Sequence, residues 1–167
     1  LAQVVQTISN LTPVDPTRVF VLGWSNGAMM SLRAACDRPA IFRAAVSFSG
    51  TLLNPFGAGP ALSALIVNGV RDLTVPYNGL RYSSFLEGPV VSVPDSIRTM
   101  MQRSVCKVRR HTTDDVASTD LYLGCADRSV IESVLLQGIG HDWPSTDNAG
   151  DDATSASWDF LQALEPR

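Results

Sequence analysis

The sequence predicts an α/β fold built on a mostly parallel β-sheet, and three features indicate it. The run 19–22 is apolar at every position, which is typical of a strand buried on both faces. A glycine-flanked turn, G-W-S-N-G, separates this run from a helix-forming stretch at 28–35. Further short apolar runs recur between loops and helices, and this alternation favours a parallel sheet with crossover connections.

The order of the elements follows from hydrophobic spacing. Apolar residues at helical spacing over 1–11 predict an amphipathic helix with one buried face, ended by Pro13 and Pro16. After it we expect a strand at 18–23, a helix at 28–35, a strand at 44–50 that ends in a glycine turn, and a strand at 64–68. A helix at 96–105, an exposed hairpin or irregular strands at 107–125, a strand at 129–136 and a helix at 153–164 complete the order. Loops are predicted at 54–60, 80–94 and 145–152.

Several apolar side chains are predicted to fill the core. Met29 and Met30 lie in the helix that follows the glycine turn, and we expect both to be packing residues. The last helix is expected to pack through four large side chains: Trp158, Phe160, Leu161 and Leu164.

Length and composition suit a single domain over residues 1–167. The chain is 45% hydrophobic and 17% charged, with a formal net charge of −3. The densest basic cluster, Arg109 to His111, is short, so no nucleic-acid partner is expected. No apolar run approaches the roughly 20 residues of a membrane span, and no signal peptide is visible in the sequence.

The three cysteines are Cys36, Cys106 and Cys125. Their spacing does not suit a zinc site, so we expect no metal there. No cofactor is expected for this chain. A disulfide between two of them would indicate an oxidising compartment, whereas three reduced thiols would suit a cytosolic enzyme. The spacing alone leaves both interpretations open.

The turn G-W-S-N-G is a candidate nucleophile elbow, with Ser25 as the nucleophile. A strand before G-x-S-x-G and a helix after it are the context in which the motif places a serine hydroxyl at the top of a sheet. The helix N-terminus directs backbone N–H groups, Asn26 first, toward negative charge that develops beside Ser25. The alternative is a tight glycine turn without catalytic function.

Asp72 and His141 are the candidate partners of Ser25. Each follows a predicted strand, and the order serine, acid, histidine is that of α/β-hydrolases. Histidine titrates near neutral pH, so it can accept the serine proton, while a carboxylate orients the ring. The weaker alternatives are His111, which lies in a polar stretch, Asp142, which adjoins the histidine, and Asp15, which precedes the serine.

Three segments together resemble the polyhydroxybutyrate depolymerase and feruloyl esterase group of secreted α/β-hydrolases. They are R-V-F-V-L-G-W-S-N-G-A-M-M, N-G-V-R-D-L-T-V-P-Y-N-G and G-I-G-H-D-W-P. The resemblance implies a three-layer αβα fold, a catalytic triad of Ser25, Asp72 and His141, and a Cys106–Cys125 disulfide. Trp24 and Trp143 are expected to contact the substrate. Asn68 stands where the family usually has histidine.

The resemblance also implies that the family's first strands lie outside this sequence. The loop that would supply a second oxyanion donor is among them, which leaves the backbone N–H of Asn26. Because one such donor is worth about 3 kcal/mol of transition-state stabilisation, we expect this chain alone to be a weak or inactive esterase. The strand before Ser25 is also expected to form an open edge of the sheet.

The leading functional interpretation is a serine carboxylic-ester hydrolase that forms an acyl-enzyme. Its substrate would be a small ester, a polyester or an esterified polysaccharide, and the resemblance implies a secreted protein. A serine peptidase or thioesterase of the same fold and a non-catalytic hydrolase-like domain are the alternatives. A nucleotide-binding domain is disfavoured because neither G-x-G-x-x-G nor a P-loop motif occurs.

Overall fold

A computed structural model describes residues 1–53, 59–84, 86–149 and 152–165. Of the predicted loop 54–60, residues 54–58 lie outside the described residues. The helices are α1 (Ala2–Leu11), α2 (Asn26–Asp37), α3 (Val93–Ser104), α4 (Thr146–Ala149) and α5 (Ala153–Ala163), with short 3₁₀ turns at Pro16–Arg18 and Ala126–Arg128. The strands are β1 (Phe20–Trp24), β2 (Ala44–Phe48), β3 (Ser63–Gly69), β4 (Leu80–Ser83), β5 (Gly88–Val90), β6 (Val108–Thr113), β7 (Ala117–Leu123) and β8 (Ile131–Leu136).

Six of the strands form one mixed sheet in the order β1-β2-β3-β8-β7-β6. The first four are parallel, and the β6–β7 hairpin extends the sheet antiparallel to β8. Strands β4 and β5 pair separately. Because β1, β2, β3 and β8 run the same way, the loops that follow them meet along one edge of the sheet.

Helices cover both faces of the sheet and create two apolar clusters. On one face α2 and α3 pack Leu32, Ile97 and Met100 against strand residues such as Ile66. On the other face α5 packs against β2 and β3 through Phe160 and Leu161, among others. The fold is therefore the three-layer α/β-hydrolase type that the sequence predicts.

The first helix differs from its prediction. Its periodicity is helical, but none of its residues is buried. Leu1, Val4, Ile8 and Leu11 are exposed, and Val5 alone packs partly against the cluster under α2. Hydrophobic spacing identifies one side of a helix, but it does not determine whether another element covers that side.

Strand β1 was predicted to be buried on both faces, but the structure leaves it partly exposed. It lies at the edge of the sheet. Leu22 and Trp24 are exposed by 45% and 42%. The position of β1 at an open edge of the sheet agrees with the expectation drawn from the family resemblance. Two core predictions are wrong for a related reason, since Met30 and Trp158 lie on the solvent sides of α2 and α5, while Met29, Phe160, Leu161 and Leu164 are buried.

Two predicted loops contain regular structure. The stretch 80–94 holds the β4–β5 hairpin and the start of α3, whose Pro94 is tolerated in the first turn because the N–H there needs no helical partner. The stretch 145–152 contains the short helix α4, and residues 150–151 lie outside the described part.

A disulfide joins Cys106, just after α3, to Cys125, just after β7. The sequence left the state of the cysteines open, and the resemblance alone implied this pair. Cys36 is a buried free thiol, and burial raises its pKa to about 11, so it stays protonated at neutral pH. Among the described helices, none combines the length and apolar character of a membrane-spanning segment.

Candidate active site

Ser25 lies in the tight turn between β1 and α2. Its backbone has φ 56° and ψ −123°, a conformation that non-glycine residues rarely adopt. Hydrogen bonds hold it there, because its N–H donates to the Phe48 carbonyl at 2.8 Å and its own carbonyl accepts from Ala28 and Met29. A Cβ at Gly23 would overlap the backbone of Gly27, so the close approach of β1 and α2 requires glycine at position 23.

Asp72 lies in the turn after β3, and its side chain is fully buried. One carboxylate oxygen, Oδ1, accepts hydrogen bonds from the backbone N–H groups of Thr74 at 2.9 Å and Val75 at 2.7 Å. These bonds hold the carboxylate in a single orientation. The other oxygen, Oδ2, therefore faces the imidazole of His141.

His141 lies in the loop after β8 and links the other two residues. Its Nδ1 is 2.8 Å from Asp72 Oδ2, and its Nε2 is 2.8 Å from Ser25 Oγ. An ionised carboxylate only accepts hydrogen bonds, so Nδ1 carries the proton and Nε2 accepts from the serine hydroxyl. The structure thus brings together all three predicted residues, from the ends of β1, β3 and β8.

The loops that carry Asp72 and His141 are tied to each other. The Arg71 N–H donates to the Ile139 carbonyl at 2.8 Å, and a side chain at Gly69 would overlap that same carbonyl. Gly138 has a φ of 79°, in the left-handed region that favours glycine. These backbone contacts fix the position of the Asp72 carboxylate relative to the His141 imidazole.

The alternative site residues lie elsewhere. His111 is exposed on the edge strand β6, where it pairs with Asp120. Asp142 is exposed beside His141, and Asp15 caps a 3₁₀ turn by accepting from Thr17. Within the described part of the chain, no three side chains are grouped so that they could hold a metal ion.

Asn26 begins α2 directly after Ser25. Within the described residues, neither its backbone N–H nor that of Gly27 donates a hydrogen bond. The N–H groups of Ala28 and Met29 donate to the Ser25 carbonyl. The free N–H groups and the positive end of the helix dipole therefore lie beside the serine hydroxyl. This arrangement can stabilise negative charge on an atom bonded to Ser25 Oγ.

Two tryptophans lie beside the His141 loop. The Trp24 ring is 5.1 Å from the His141 ring at an interplanar angle of 38°. The Trp143 ring lies 4.7 Å from that of Phe48, which the sequence analysis did not single out. Trp24 directly precedes Ser25, Trp143 follows His141 by two residues, and both side chains are partly exposed, so each offers apolar surface near its neighbour in the site.

A cavity of about 400 Å³ lies between the sheet and α5, and none of the three hydrogen-bonded residues lines it. Asn68 is buried on β3, where its amide donates to the Gly50 carbonyl at 3.3 Å and its own carbonyl has no partner among the described residues. The structure gives this residue no direct contact with the serine.

Comparisons with known proteins agree with this fold and geometry. A sequence profile of the prolyl oligopeptidase family matches residues 1–54, the part that carries the elbow. The chain is 26% identical over 163 residues to "Putative esterase NocK" from Nocardia uniformis subsp. tsuyamanensis. The match covers 84% of this chain and 46% of the relative, so the chain spans about half the length of that protein. These similarities support an α/β-hydrolase-type family and a serine hydrolase, without distinguishing ester from peptide substrates.

Proposed function

We propose that this protein is a serine carboxylic-ester hydrolase that acts through an acyl-enzyme, with Ser25 as nucleophile, His141 as base and Asp72 as its orienting acid. The observation that carries the proposal is the continuous pair of 2.8 Å hydrogen bonds from Asp72 through His141 to Ser25. The geometry meets the requirement that a base lie within hydrogen-bond reach of the nucleophile and be oriented by a third group.

In the first half of the reaction, Ser25 Oγ bonds to the ester carbonyl carbon as His141 Nε2 takes the hydroxyl proton. The carbonyl π pair moves to oxygen, and the Asn26 N–H stabilises that oxyanion. The tetrahedral intermediate then expels the alkoxide, which takes the proton from Nε2 and leaves as an alcohol. In the second half, water replaces the alcohol, and the same transfers release the acid and restore Ser25.

Two similarities favour an ester substrate. The matched relative is named an esterase, and the motifs around the three residues resemble the polyhydroxybutyrate depolymerase and feruloyl esterase group. Under this proposal Trp24 and Trp143 contact the acyl or aryl part of the substrate. Short hydroxyalkanoate esters and feruloyl or acetyl esters of plant polysaccharide are the candidate classes.

A serine peptidase is the second candidate, and one observation favours it. The prolyl oligopeptidase profile matches the first 54 residues, which include β1 and the elbow. The triad alone does not separate the two classes, because amides and esters pass through the same kind of tetrahedral intermediate. Substrate tests must therefore compare both bonds.

The disulfide supports a proposal about location. Disulfides persist in secreted and other oxidising environments and are rare in reducing ones. The Cys106–Cys125 pair therefore fits a secreted enzyme acting on extracellular esters.

The first test is labelling of the purified chain with an alkyl fluorophosphonate, with the modified residue located by mass spectrometry. We expect label on Ser25, none in Ser25→Ala, and strong loss in His141→Asn. His111→Asn is the matched control, because that histidine lies on β6 away from the serine. A folded wild-type chain without label on Ser25 would contradict the proposed function.

The second test separates the two substrate classes. p-Nitrophenyl esters of acetate, 3-hydroxybutyrate and ferulate are compared with a prolyl p-nitroanilide, in which the scissile bond is an amide and the released p-nitroaniline is also coloured. We expect slow, Ser25-dependent turnover of the esters only, because this chain is expected to supply one oxyanion donor, the Asn26 N–H. Preferential cleavage of the anilide would replace the esterase proposal by the peptidase.

A further inference from the structure

The ring contact between Trp24 and His141 joins residues from two strands that are not neighbours. Trp24 ends β1, whereas His141 follows β8, and β2 and β3 lie between these strands in the sheet. The two side chains meet above the ends of the intervening strands, with ring centroids 5.1 Å apart. Trp24 is also the residue directly before Ser25, so the peptide chain couples its position to that of the nucleophile.

Hydrogen bonds alone do not fully position the imidazole. Nδ1 and Nε2 flank Cε1, and each makes one hydrogen bond, to Asp72 and Ser25 respectively. These two bonds and the covalent bond from Cγ to Cβ all lie in the plane of the ring, so they resist tilting of the ring only through their angles. The Trp24 ring, 5.1 Å away between centroids at an interplanar angle of 38°, adds a contact that limits this tilting.

The contact also depends on the charge of the imidazole. When His141 accepts the serine proton it becomes a cation, and a tryptophan face within about 6 Å attracts a cation more strongly than a neutral ring. The interaction is therefore stronger in the transition state than in the resting enzyme, which is the condition for lowering a barrier.

We propose that Trp24 is a positioning residue for His141, which holds the tilt of the imidazole and favours its protonated form. Its part in catalysis rests on the proposed function, whereas its effect on the imidazole does not. This role is additional to the substrate contact that the sequence-based resemblance implies for Trp24.

The test uses Trp24→Leu, which keeps an apolar side chain without a π face, and Trp24→Phe, which keeps a smaller one. Trp158→Leu is the matched control, because Trp158 is exposed on α5 and its ring contacts neither histidine in the described structure. Circular dichroism confirms that each variant is folded.

The first readout is the titration of both histidines by NMR. Asp72, whose carboxylate is hydrogen-bonded to His141, and the exposed neighbouring Asp142 are unchanged in every variant. We expect the His141 midpoint to fall by about half a pH unit in Trp24→Leu, with Trp24→Phe between. His111, on β6, serves as the internal reference and keeps its midpoint.

The second readout is the rate of fluorophosphonate labelling at Ser25 between about pH 5 and 9. Because the alkyl probe carries no aryl group, stacking of the substrate on Trp24 does not contribute. We expect the labelling rate on the high-pH plateau to fall about three- to tenfold in Trp24→Leu. The midpoint of the pH–rate curve should shift downward as in the NMR titration.

The outcomes separate this proposal from the proposed function. An unchanged His141 midpoint in Trp24→Leu would overturn the positioning role, even if labelling slowed. A wild-type chain that fails to label at Ser25 would overturn the hydrolase assignment, and the NMR titration would still decide whether Trp24 acts on His141.

Discussion

The two glycines that flank Ser25 differ in what they do, although the motif gives them equal weight. A side chain at Gly23 would overlap the backbone of Gly27 and Ala28, where β1 and α2 pass closest. Around Gly27 nothing lies within 4 Å of an added Cβ. Glycine at position 23 is therefore a packing requirement, whereas glycine at position 27 is not.

We predict that Gly23→Ala lowers the free energy of unfolding by about 3 kcal/mol or more, because the overlap is with backbone that cannot move independently. Gly27→Ala is the matched control. It should keep the stability or raise it by up to about 1 kcal/mol, since alanine is the better helix former. Urea denaturation followed by circular dichroism measures both, and equal losses would contradict this interpretation.

Asp72 makes two kinds of hydrogen bond with its two oxygens. Oδ1 accepts from two backbone N–H groups in its own turn, and Oδ2 contacts His141. The first set stabilises the turn, and the second selects the tautomer of the imidazole. Substitution by asparagine separates these roles, because an amide retains one acceptor oxygen.

We predict that Asp72→Asn folds normally but labels with fluorophosphonate roughly 10³- to 10⁴-fold more slowly. The amide nitrogen would donate to Nδ1 and so move the imidazole proton to Nε2, which then cannot accept the serine proton. Asp142→Asn, which changes an exposed neighbouring carboxyl, should label at the wild-type rate. Normal labelling of Asp72→Asn would remove the aspartate from the proposed mechanism.

At the scale of elements, β8 carries an unusual residue for a central strand. Glu132 faces the side of the sheet covered by α5, with Leu65 and Leu121 opposite it on the neighbouring strands. No hydrogen bond or ion pair to its carboxyl is found among the described residues, and burial raises its pKa. Its ionised form therefore destabilises the folded state.

We predict that Glu132→Gln is more stable than the wild type at neutral pH. Because the pKa of Glu132 is higher in the folded than in the unfolded chain, ionisation costs stability as the pH rises above the unfolded value of about 4.3. Below that value both states hold the proton, so the difference should disappear. Thermal unfolding at about pH 3 and pH 7 measures this, and a less stable variant at pH 7 would refute it.

At the scale of the whole molecule, the sheet order brings three distant loops to one edge. The loops after β1, β3 and β8 are far apart in sequence, but these strands are parallel and lie within four positions of one another. The candidate active site is therefore a property of the complete sheet. The β6–β7 hairpin lies beyond it and is tied to α3 by the Cys106–Cys125 disulfide.

We predict that Cys106→Ser/Cys125→Ser lowers the free energy of unfolding by about 3 kcal/mol, because the bridge closes a loop of intermediate length and restricts the unfolded chain. The same loss should follow when the wild type is reduced with dithiothreitol, and the double variant should not respond to the reductant. Denaturation of both proteins with and without reductant measures this. A wild type that keeps its stability after complete reduction would contradict it.

The sequence predicted most of the sheet and the three hydrogen-bonded residues, Ser25, Asp72 and His141, because each lies in a recognisable local sequence pattern. Ser25 lies between two glycines after an apolar run, and Asp72 and His141 each follow another such run. Turn chemistry and strand periodicity are short-range properties, so they can be interpreted without a structure. The final helix was predicted for the same reason, whereas the polar, β-branched stretch 107–125 indicated either a hairpin or irregular strands.

Contacts between residues distant in the chain were decided only by the tertiary structure. The exposed apolar side of α1, the edge position of β1 and the solvent-facing Met30 and Trp158 all depend on which element covers a given surface. The contact of Trp24 with His141 depends on two loops meeting across intervening strands. By itself, the sequence determined where strands, turns and reactive groups lie along the chain, because those follow from neighbouring residues. The packing of whole elements determined what each surface touches, because burial is a property of the assembled sheet and helices.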